Sequence, residues 1–212
     1  MITLYAWPTP NGQKLFIMLE ELGAPYETRF VNLARNEQFD PAFLKIAPNN
    51  KIPAIVDDSG QGEPLALFES GAILEYLADK HGRLLALSGT PRWHALQWLH
   101  WQIGGLGPML GQLGFFGLRS ETKAPLAISR FSEEAARLIG VLDGRLHEAR
   151  YLAGGEYSIA DIACYPWAKA ASVNFRGLIG EALDKAANLR RWLDEVGARP
   201  AVARAMAIKP PA

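Results

Sequence analysis

The chain has 212 residues, enough for one large domain or two small ones, and its 22 basic and 22 acidic side chains give a formal net charge of zero. A neutral chain lacks the basic surface typical of proteins that bind nucleic acid or anionic membranes, and its apolar stretches are too short to span a bilayer, so we expect neither partner. The single cysteine, Cys164, excludes an internal disulfide and favours a reducing compartment, so we expect a cytoplasmic protein.

The first 81 residues alternate short β-like runs with helical patterns. The first run lacks the basic and long apolar segments of a signal peptide and is interpreted as a strand. The order β-α-β-α-β-β-α predicts an α/β domain, a mixed sheet with helices packed on it. The predicted elements are strand 2–6, helix 12–22, strand 26–31, short helix 41–46, strands 54–56 and 65–68, and helix 70–80.

The second part of the chain has an almost wholly helical pattern. A linker at 82–90 separates domain 1–81 from an all-α domain at 91–212. A hydroxyl followed by proline, Thr90-Pro91, predicts the start of its first helix, and the glycines and proline at 104–108 predict that this helix ends or kinks. Further helices are predicted at about 125–148 and 158–171, with two shorter ones in the tail.

A capping box is predicted at the start of the helix near residue 158. Ser158 can cap the helix through its hydroxyl, and Asp161 can reach back to the N–H of the cap, with Tyr157 and Ile162 at the hydrophobic staple positions. We interpret this device as structural, with the ~0.5–2 kcal/mol that such caps contribute to stability.

Several catalytic chemistries are disfavoured by residue spacing. No histidine stands four residues from another, so no metal cofactor is expected. The glycines at 104–111 follow a helix and do not match the dinucleotide fingerprint. Ser70 follows a strand as a hydrolase nucleophile does, but Phe68 replaces the first glycine of that motif and no His-Asp pair is identifiable. Cys164 is interpreted as a small buried apolar residue of a helix.

Two segments of the first domain predict a site for a small zwitterion. An apolar strand runs into Glu69, Ser70 and a helix, so Ser70 and the free N–H groups of that helix can hold a carboxylate while Glu69 holds an ammonium. The Ile52-Pro53 step starts another strand, and such a bond can be cis and turn backbone groups toward a ligand. We predict that it is cis.

The turn at 7–12 is a further candidate. It joins a strand to a helix as in thioredoxin-like domains, yet it contains no cysteine. Thr9, Asn11 and backbone N–H groups can hold a thiolate brought by a ligand, and charged hydrogen bonds of ~1.5–3 kcal/mol each would lower a thiol pKa of about 8.5 by one or two units. A helix cap beside a turn explains Thr9 and Asn11 equally well, so the residues alone leave both interpretations open.

The chain resembles the cytosolic glutathione transferases over almost its full length, and within them the bacterial Nu class, which is related to a yeast prion regulator and includes disulfide-bond oxidoreductases. The better-known classes have a tyrosine or serine in the first turn, and here Thr9 and Asn11 take that place. The resemblance is carried by Thr-Pro-Asn-Gly at 9–12, Pro-Asn-Asn-Lys-Ile-Pro-Ala at 48–54, Phe-Glu-Ser-Gly-Ala-Ile at 68–73, and segments 96–98, 104–109 and 158–161.

The resemblance implies a homodimer of thioredoxin-like plus helical-bundle subunits, with glutathione as co-substrate. It also implies oxidised glutathione and a small electrophile or disulfide as further ligands. By resemblance, Thr9 and Asn11 would act on the thiol, and Ile52-Pro53 would pair with the cysteinyl part of glutathione. Glu69 and Ser70 would hold the γ-glutamyl end, and Gln38 would reach the glycyl side or a second glutathione. Arg130 and Gln102 would contribute from the helical domain. Arg130 is also explained as a solvated helix charge.

Two classes of function stay open on the sequence. The first is an enzyme that activates glutathione for conjugation or for reduction of disulfides. The second is a non-catalytic binding or regulatory protein of the same fold. The set of Thr9, Asn11, Ile52-Pro53 and Glu69-Ser70 favours the enzyme, while the electrophile, whose pocket we place near Phe115 and Phe116, is not defined by the sequence.

Overall fold

The computed structural model describes residues 1–60 and 62–211. Its contacts group them into two compact units, one formed by Met1–Leu85 with the segment that begins at Arg199, the other by Ala86–Ala198. The predicted limits 1–81, 82–90 and 91–212 stay a prediction, because contact grouping alone does not define which segments fold independently.

The first unit is built around a four-stranded sheet in the order β2-β1-β3-β4. Strands β1 and β2 are parallel, and β1-β3 and β3-β4 are antiparallel, so the predicted mixed sheet of a thioredoxin-like domain is confirmed. Its elements are β1 Ile2–Ala6, α1 Pro10–Leu22, β2 Tyr26–Phe30, α2 Pro41–Leu44, β3 Ala54–Asp57, β4 Leu65–Phe68 and α3 Ser70–His81, with short 3-10 turns at Leu33–Arg35 and Glu37–Phe39.

Helix α1, which follows the Thr9 turn, shows how local sequence sets where a helix begins and ends. It starts at Pro10, two residues before the predicted start, because proline is suited to the first helical position, and it ends at Gly23 in the left-handed conformation (φ 64°). One face of α1, including the fully buried Leu15, Phe16 and Leu19, lies in the core of the unit, and α1 also packs on α3.

The second unit is helical throughout, as predicted. The first helix begins at Gly89, with Ser88 in the cap position, so Thr90 lies inside the helix and the predicted Thr90 cap is wrong. The predicted interruption at 104–108 is a π-helical turn, Gln102–Leu106, after which the chain returns to α-helix. Its elements are α4 Gly89–Trp101, α5 Gly107–Leu113, a second π-helical turn Gly114–Arg119, α6 Pro125–Glu148, α7 Ile159–Asn174, α8 Arg176–Lys185 and α9 Ala187–Gly197.

A last helix, α10 Pro200–Met206, belongs to the first unit and packs against α1. The tail therefore holds three short helices where two were predicted. Arg199, just before α10, forms two hydrogen bonds with the carboxylate of Glu21 at 2.6 and 2.9 Å, and Arg204 binds Glu20 at 2.8 Å. These charged contacts join the segment around α10 to helix α1.

The predicted capping box is confirmed at the start of α7. The hydroxyl of Ser158 accepts from the N–H of Ala160 at 3.3 Å, and Asp161 accepts from the N–H of Ser158 at 3.0 Å. Among the described residues, no helix combines the length and the apolar character needed to cross a membrane.

Candidate functional site

The strand register brings three segments to one edge of the sheet. Tyr5 near the end of β1 lies opposite Ala54 at the start of β3, and Ala54 lies opposite Phe68 at the end of β4. The turn that follows β1, the residues that precede β3 and the residues that follow β4 therefore meet there. The sequence-predicted Thr9, Asn11, Ile52, Pro53, Glu69 and Ser70 belong to these three segments.

The first of these segments is the turn into α1. Thr9 is the N-cap, and its hydroxyl oxygen accepts from the N–H of Gly12 at 3.4 Å, so the cap interpretation is confirmed. The hydroxyl hydrogen of Thr9 can still be donated to a ligand. A Cβ at position 12 would lie 2.0 Å from the carbonyl oxygen of Trp7, which explains why the helix start needs glycine there. Thr9 and Asn11 are both half-buried.

The second segment is the Ile52-Pro53 step. Its peptide bond is cis, so the prediction is confirmed. Pro53 is buried, and the half-buried Ile52 packs on a small apolar cluster that includes Phe43 and Ala54. Ile52, the residue before this bond, is therefore packed against the first unit directly before β3 begins.

The third segment is Glu69-Ser70, where β4 turns into α3. Glu69 is exposed and has a positive φ of 72°, which is uncommon for a residue other than glycine and is often found at functional sites. Ser70, the first residue of α3, is buried. Its hydroxyl oxygen accepts a hydrogen bond from Nζ of Lys14 at 3.1 Å.

Lys14 is the residue that the sequence reasoning missed. It is completely buried on α1, although lysine is almost never buried without partners. A signal was present in the sequence, since Lys14 stands three and four residues before Ile17 and Met18 and so lies on an apolar helix face.

Gln38 lies in the 3-10 turn Glu37–Phe39. Its side-chain oxygen Oε1 is buried and, among the residues that the structure describes, has no hydrogen-bond partner. Buried polar atoms are almost always hydrogen-bonded, so this acceptor is available to a donor from a ligand.

The two remaining predicted residues lie in the second unit. Gln102 is buried at the start of the first π-helical turn, a kind of irregularity often found at functional sites. Arg130 is exposed on α6, and its guanidinium lies 3.9 Å from the carboxylate of Glu134. An exposed pair of this kind contributes little to stability. The positive charge of Arg130 lies at the surface.

The second unit also carries an aromatic cluster on its second π-helical turn. Phe115 is exposed and meets Phe116 edge-on at 5.0 Å between ring centroids, and Phe116 stacks on Phe131 at 5.7 Å. Such a surface suits an apolar ligand. Cys164 is buried within α7, as predicted. Within residues 1–60 and 62–211, no group of three or more histidine, cysteine or acidic side chains is placed to hold a metal ion.

The fold defines a thioredoxin-like domain with a second, helical unit, and comparison with known proteins agrees. The N-terminal domain model of glutathione S-transferase matches residues 1–79, and the C-terminal domain model matches 125–195. The chain belongs to the glutathione S-transferase family.

Similar proteins cover almost the whole chain. The disulfide-bond oxidoreductase YfcG of Escherichia coli is 49% identical over 97% of this chain and 94% of its own. A glutathione transferase family member from Pseudomonas fluorescens, solved with two glutathione bound, is 48% identical over 97% of this chain and 92% of that one, with a TM-score of 0.92. A Pseudomonas putida glutathione transferase, solved with one glutathione disulfide per subunit, is 44% identical over 99% and 92%, with a TM-score of 0.93.

Proposed function

We propose that the protein is a glutathione-dependent transferase that binds glutathione or its disulfide, activates the thiol and reduces disulfide bonds. The observation that carries this proposal is the meeting of the capped α1 turn, the cis Ile52-Pro53 step and Glu69-Ser70 at one edge of the sheet. The name of the E. coli relative and the ligands of the Pseudomonas structures support it.

Each end of glutathione has a matching group in the first unit. The ammonium of the γ-glutamyl end faces the exposed carboxylate of Glu69. The α-carboxylate of the same γ-glutamyl end binds Ser70 and the free N–H groups that begin α3. The main chain of Ile52 pairs with the cysteinyl part. The unsatisfied oxygen of Gln38 accepts from the glycyl side or from a second glutathione.

The sulfur then lies at the start of α1, where Thr9 and Asn11 act on it. The hydroxyl of Thr9 accepts from Gly12 and donates its hydrogen to the thiolate, which the N-terminal end of the helix also stabilises. The thiolate attacks one sulfur of the substrate disulfide, forms a mixed disulfide and releases the other sulfur as a thiolate. A second glutathione thiolate attacks the mixed disulfide, which releases the second substrate thiol and yields oxidised glutathione.

Conjugation to a small electrophile uses the same thiolate. In the second unit, the surface of Phe115 and Phe116 would receive the apolar substrate, and Arg130 would supply positive charge.

A homodimer is part of the proposal, with Gln102 acting from the partner subunit. Strand β4 forms an edge of the sheet and exposes Leu65 and Phe68 by 42% and 38%. Apolar edge strands are normally covered, and a second copy of this chain would cover this one. The variant Phe68→Glu should shift the sedimentation coefficient from dimer to monomer. A wild-type protein that sediments as a monomer would contradict this part.

Binding and turnover test the site in two ways. Glu69→Gln with Ser70→Ala should weaken glutathione binding measured by calorimetry by several kcal/mol, since charged hydrogen bonds contribute about 1.5–3 kcal/mol each. Thr9→Ala with Asn11→Ala should instead lower turnover of a small mixed disulfide more than glutathione affinity, because the lost contacts act on the reacting sulfur. Rate is measured against pH for the wild type, both single variants and the double variant.

The outcomes separate the two classes of function. Unchanged affinity in the Glu69→Gln, Ser70→Ala variant would remove the ligand assignment. Rate profiles that coincide in height and midpoint would remove Thr9 and Asn11 from the activation of the thiol. Tight binding of glutathione without turnover of either a disulfide or an electrophile would make the protein a non-catalytic binding or regulatory member of the family.

A further inference from the structure

Lys14 places a positive charge directly behind the proposed γ-glutamyl site. Its ammonium is fully buried, and its Nζ lies 3.1 Å from the hydroxyl oxygen of Ser70, which is 56 positions away in the sequence. Keeping an ammonium away from water is unfavourable unless hydrogen bonds and negative charge compensate it. A carboxylate bound at Ser70 would add a negative charge close to this ammonium, beside the partners that Lys14 has within the protein.

The hydrogen bond also sets the direction in which Ser70 acts. An ammonium only donates, so the oxygen of Ser70 accepts from Lys14 and its hydroxyl hydrogen is directed elsewhere. Hydrogen bonds in a chain strengthen one another in a buried environment, so the hydroxyl becomes a stronger donor. Ser70 also begins α3, where the first N–H groups lack partners within the helix and favour an anion.

We propose that Lys14 is a positioning residue for the α-carboxylate of the γ-glutamyl group, a role that rests on the glutathione-dependent function proposed above. It holds Ser70 as a hydrogen-bond donor and balances the charge of the carboxylate from behind. Glu69, on the exposed side, takes the ammonium of the same group. Together, Lys14 and Glu69 match both charges of the zwitterion.

The test compares two ligands in calorimetry. One is glutathione, and the other is its analogue in which a hydrogen replaces the γ-glutamyl α-carboxylate. Lys14→Met, which keeps a chain of similar length, should lose about 10- to 100-fold in affinity for glutathione, the range expected for one charged hydrogen bond. Its affinity for the analogue should change by less than about three-fold, because the group that Lys14 serves is absent.

Three further variants sharpen this comparison. Lys14→Gln keeps a neutral hydrogen-bond donor, so its affinity for glutathione should lie between those of the wild type and Lys14→Met. In the Ser70→Ala background, Lys14→Met should lower the affinity for glutathione by a smaller factor than it does in the wild type. The reason is that Lys14 acts through the Ser70 hydroxyl, which this background lacks. Lys185→Met removes the same charge from an exposed pair with Glu181 in the second unit and should leave both affinities unchanged.

A kinetic measurement separates positioning from a general loss of structure. Lys14→Met should raise KM for glutathione while kcat at saturating glutathione stays within about two-fold, as expected for a contact made equally in the ground state and the transition state. Circular dichroism and thermal unfolding of the ligand-free variants establish that they fold. If Lys14→Met does not fold, Lys14→Gln carries the same comparison of ligands.

Distinct results overturn the inference and the proposed function. Equal losses for the two ligands would make Lys14 a structural residue only, and an unchanged affinity for glutathione would exclude any role in binding. Wild-type protein that binds neither glutathione nor the analogue would instead contradict the proposed function itself.

Discussion

Asp57 in the first unit and Asp161 in the second are both buried carboxylates, but they have different surroundings. In the first unit, Asp57 at the end of β3 accepts hydrogen bonds from Lys80, from the hydroxyl of Tyr76 at 2.8 Å and from the N–H and hydroxyl of Ser59 at 3.0 and 2.6 Å. Burial raises the pKa of Asp57, but the hydrogen bonds from Lys80, Ser59 and Tyr76 outweigh it and hold this pKa well below its usual range.

In the second unit, Asp161 accepts its hydrogen bonds from neutral groups. They come from the N–H groups of Leu152 and Ser158, both at 3.0 Å, the hydroxyl of Ser158 at 3.2 Å and Nε1 of Trp192 at 2.9 Å. Burial raises the pKa of Asp161 to about 6, and these bonds lower it only in part. Asp161 is more deeply buried than Asp57, and these hydrogen bonds come to it from neutral donors only. Both differences favour a higher pKa for Asp161.

The largest expected effect is that of Asp161→Ala. Without the carboxylate of Asp161, the N–H groups of Leu152 and Ser158 and the indole of Trp192 would be buried without their acceptor. We therefore expect a loss of about 3–5 kcal/mol in the free energy of unfolding. Urea denaturation measures it. Ser158→Ala, which removes the cap hydroxyl alone, should lose only about 1 kcal/mol. Equal small losses in both variants would mean that Asp161 acts as a cap residue and no more.

Lys80→Met should have the next largest effect, about 1–3 kcal/mol, because it leaves the carboxylate of Asp57 buried without its cation. Adding Asp57→Asn should restore part of the loss, since the uncompensated charge is then gone. Lys185→Met, which breaks an exposed pair, should stay within about 0.5 kcal/mol of wild type in the same denaturation experiment. An equal loss of unfolding free energy in Lys80→Met and Lys185→Met would show that the burial of Asp57 does not increase the contribution of its ion pair to stability.

The pH dependence of stability should have opposite signs for the two carboxylates. The pKa of Asp161 is raised on folding to about 6, so its contribution to the unfolding free energy should rise as pH falls from about 6 to about 4, by at most about 1.4 kcal/mol per pH unit. The pKa of Asp57 is lowered, so its contribution is present above about pH 4 and is lost as pH falls below that.

The opposite signs are checked by measuring the unfolding free energy between about pH 3 and pH 8 for wild type, Asp57→Asn and Asp161→Asn. Asp161→Asn should remove the rise between about pH 6 and 4, and Asp57→Asn should weaken the loss at lower pH. Parallel curves for all three proteins would show that neither carboxylate titrates with folding.

Cys164→Ala should have the smallest effect. Cys164 lies on α7 three residues after Asp161, is fully buried and carries no charge, so we expect a loss of about 1 kcal/mol from the cavity alone. Glutathione-dependent disulfide reduction should remain at the wild-type rate. A folded variant that has lost this activity would show that the protein uses a redox thiol of its own, which contradicts the proposed mechanism.

The sequence by itself determined the features that depend on neighbouring residues. The capping box at Ser158 and Asp161, the end of β4 at Glu69-Ser70 and the order of strands and helices in the first unit follow from local spacing and propensity. The cis Ile52-Pro53 bond was also predicted, because proline is the residue that permits it. The exact helix starts were less well predicted, as Pro10 and Gly89 show, because local caps compete over one or two positions.

Only the tertiary structure decided which distant residues meet. The bond between Lys14 and Ser70 and the pairing of Arg199 with Glu21, 178 positions apart, join segments that no periodicity links. Whether a charge is buried also depends on such packing, so Asp57 could not be separated from ordinary surface residues in the sequence. For Lys14 the sequence showed only a position on an apolar helix face, and not the partner that it meets. The zwitterion site stays a prediction from local motifs, while the contact of the buried Lys14 ammonium with Ser70 emerged only when two helices from different parts of the chain packed together.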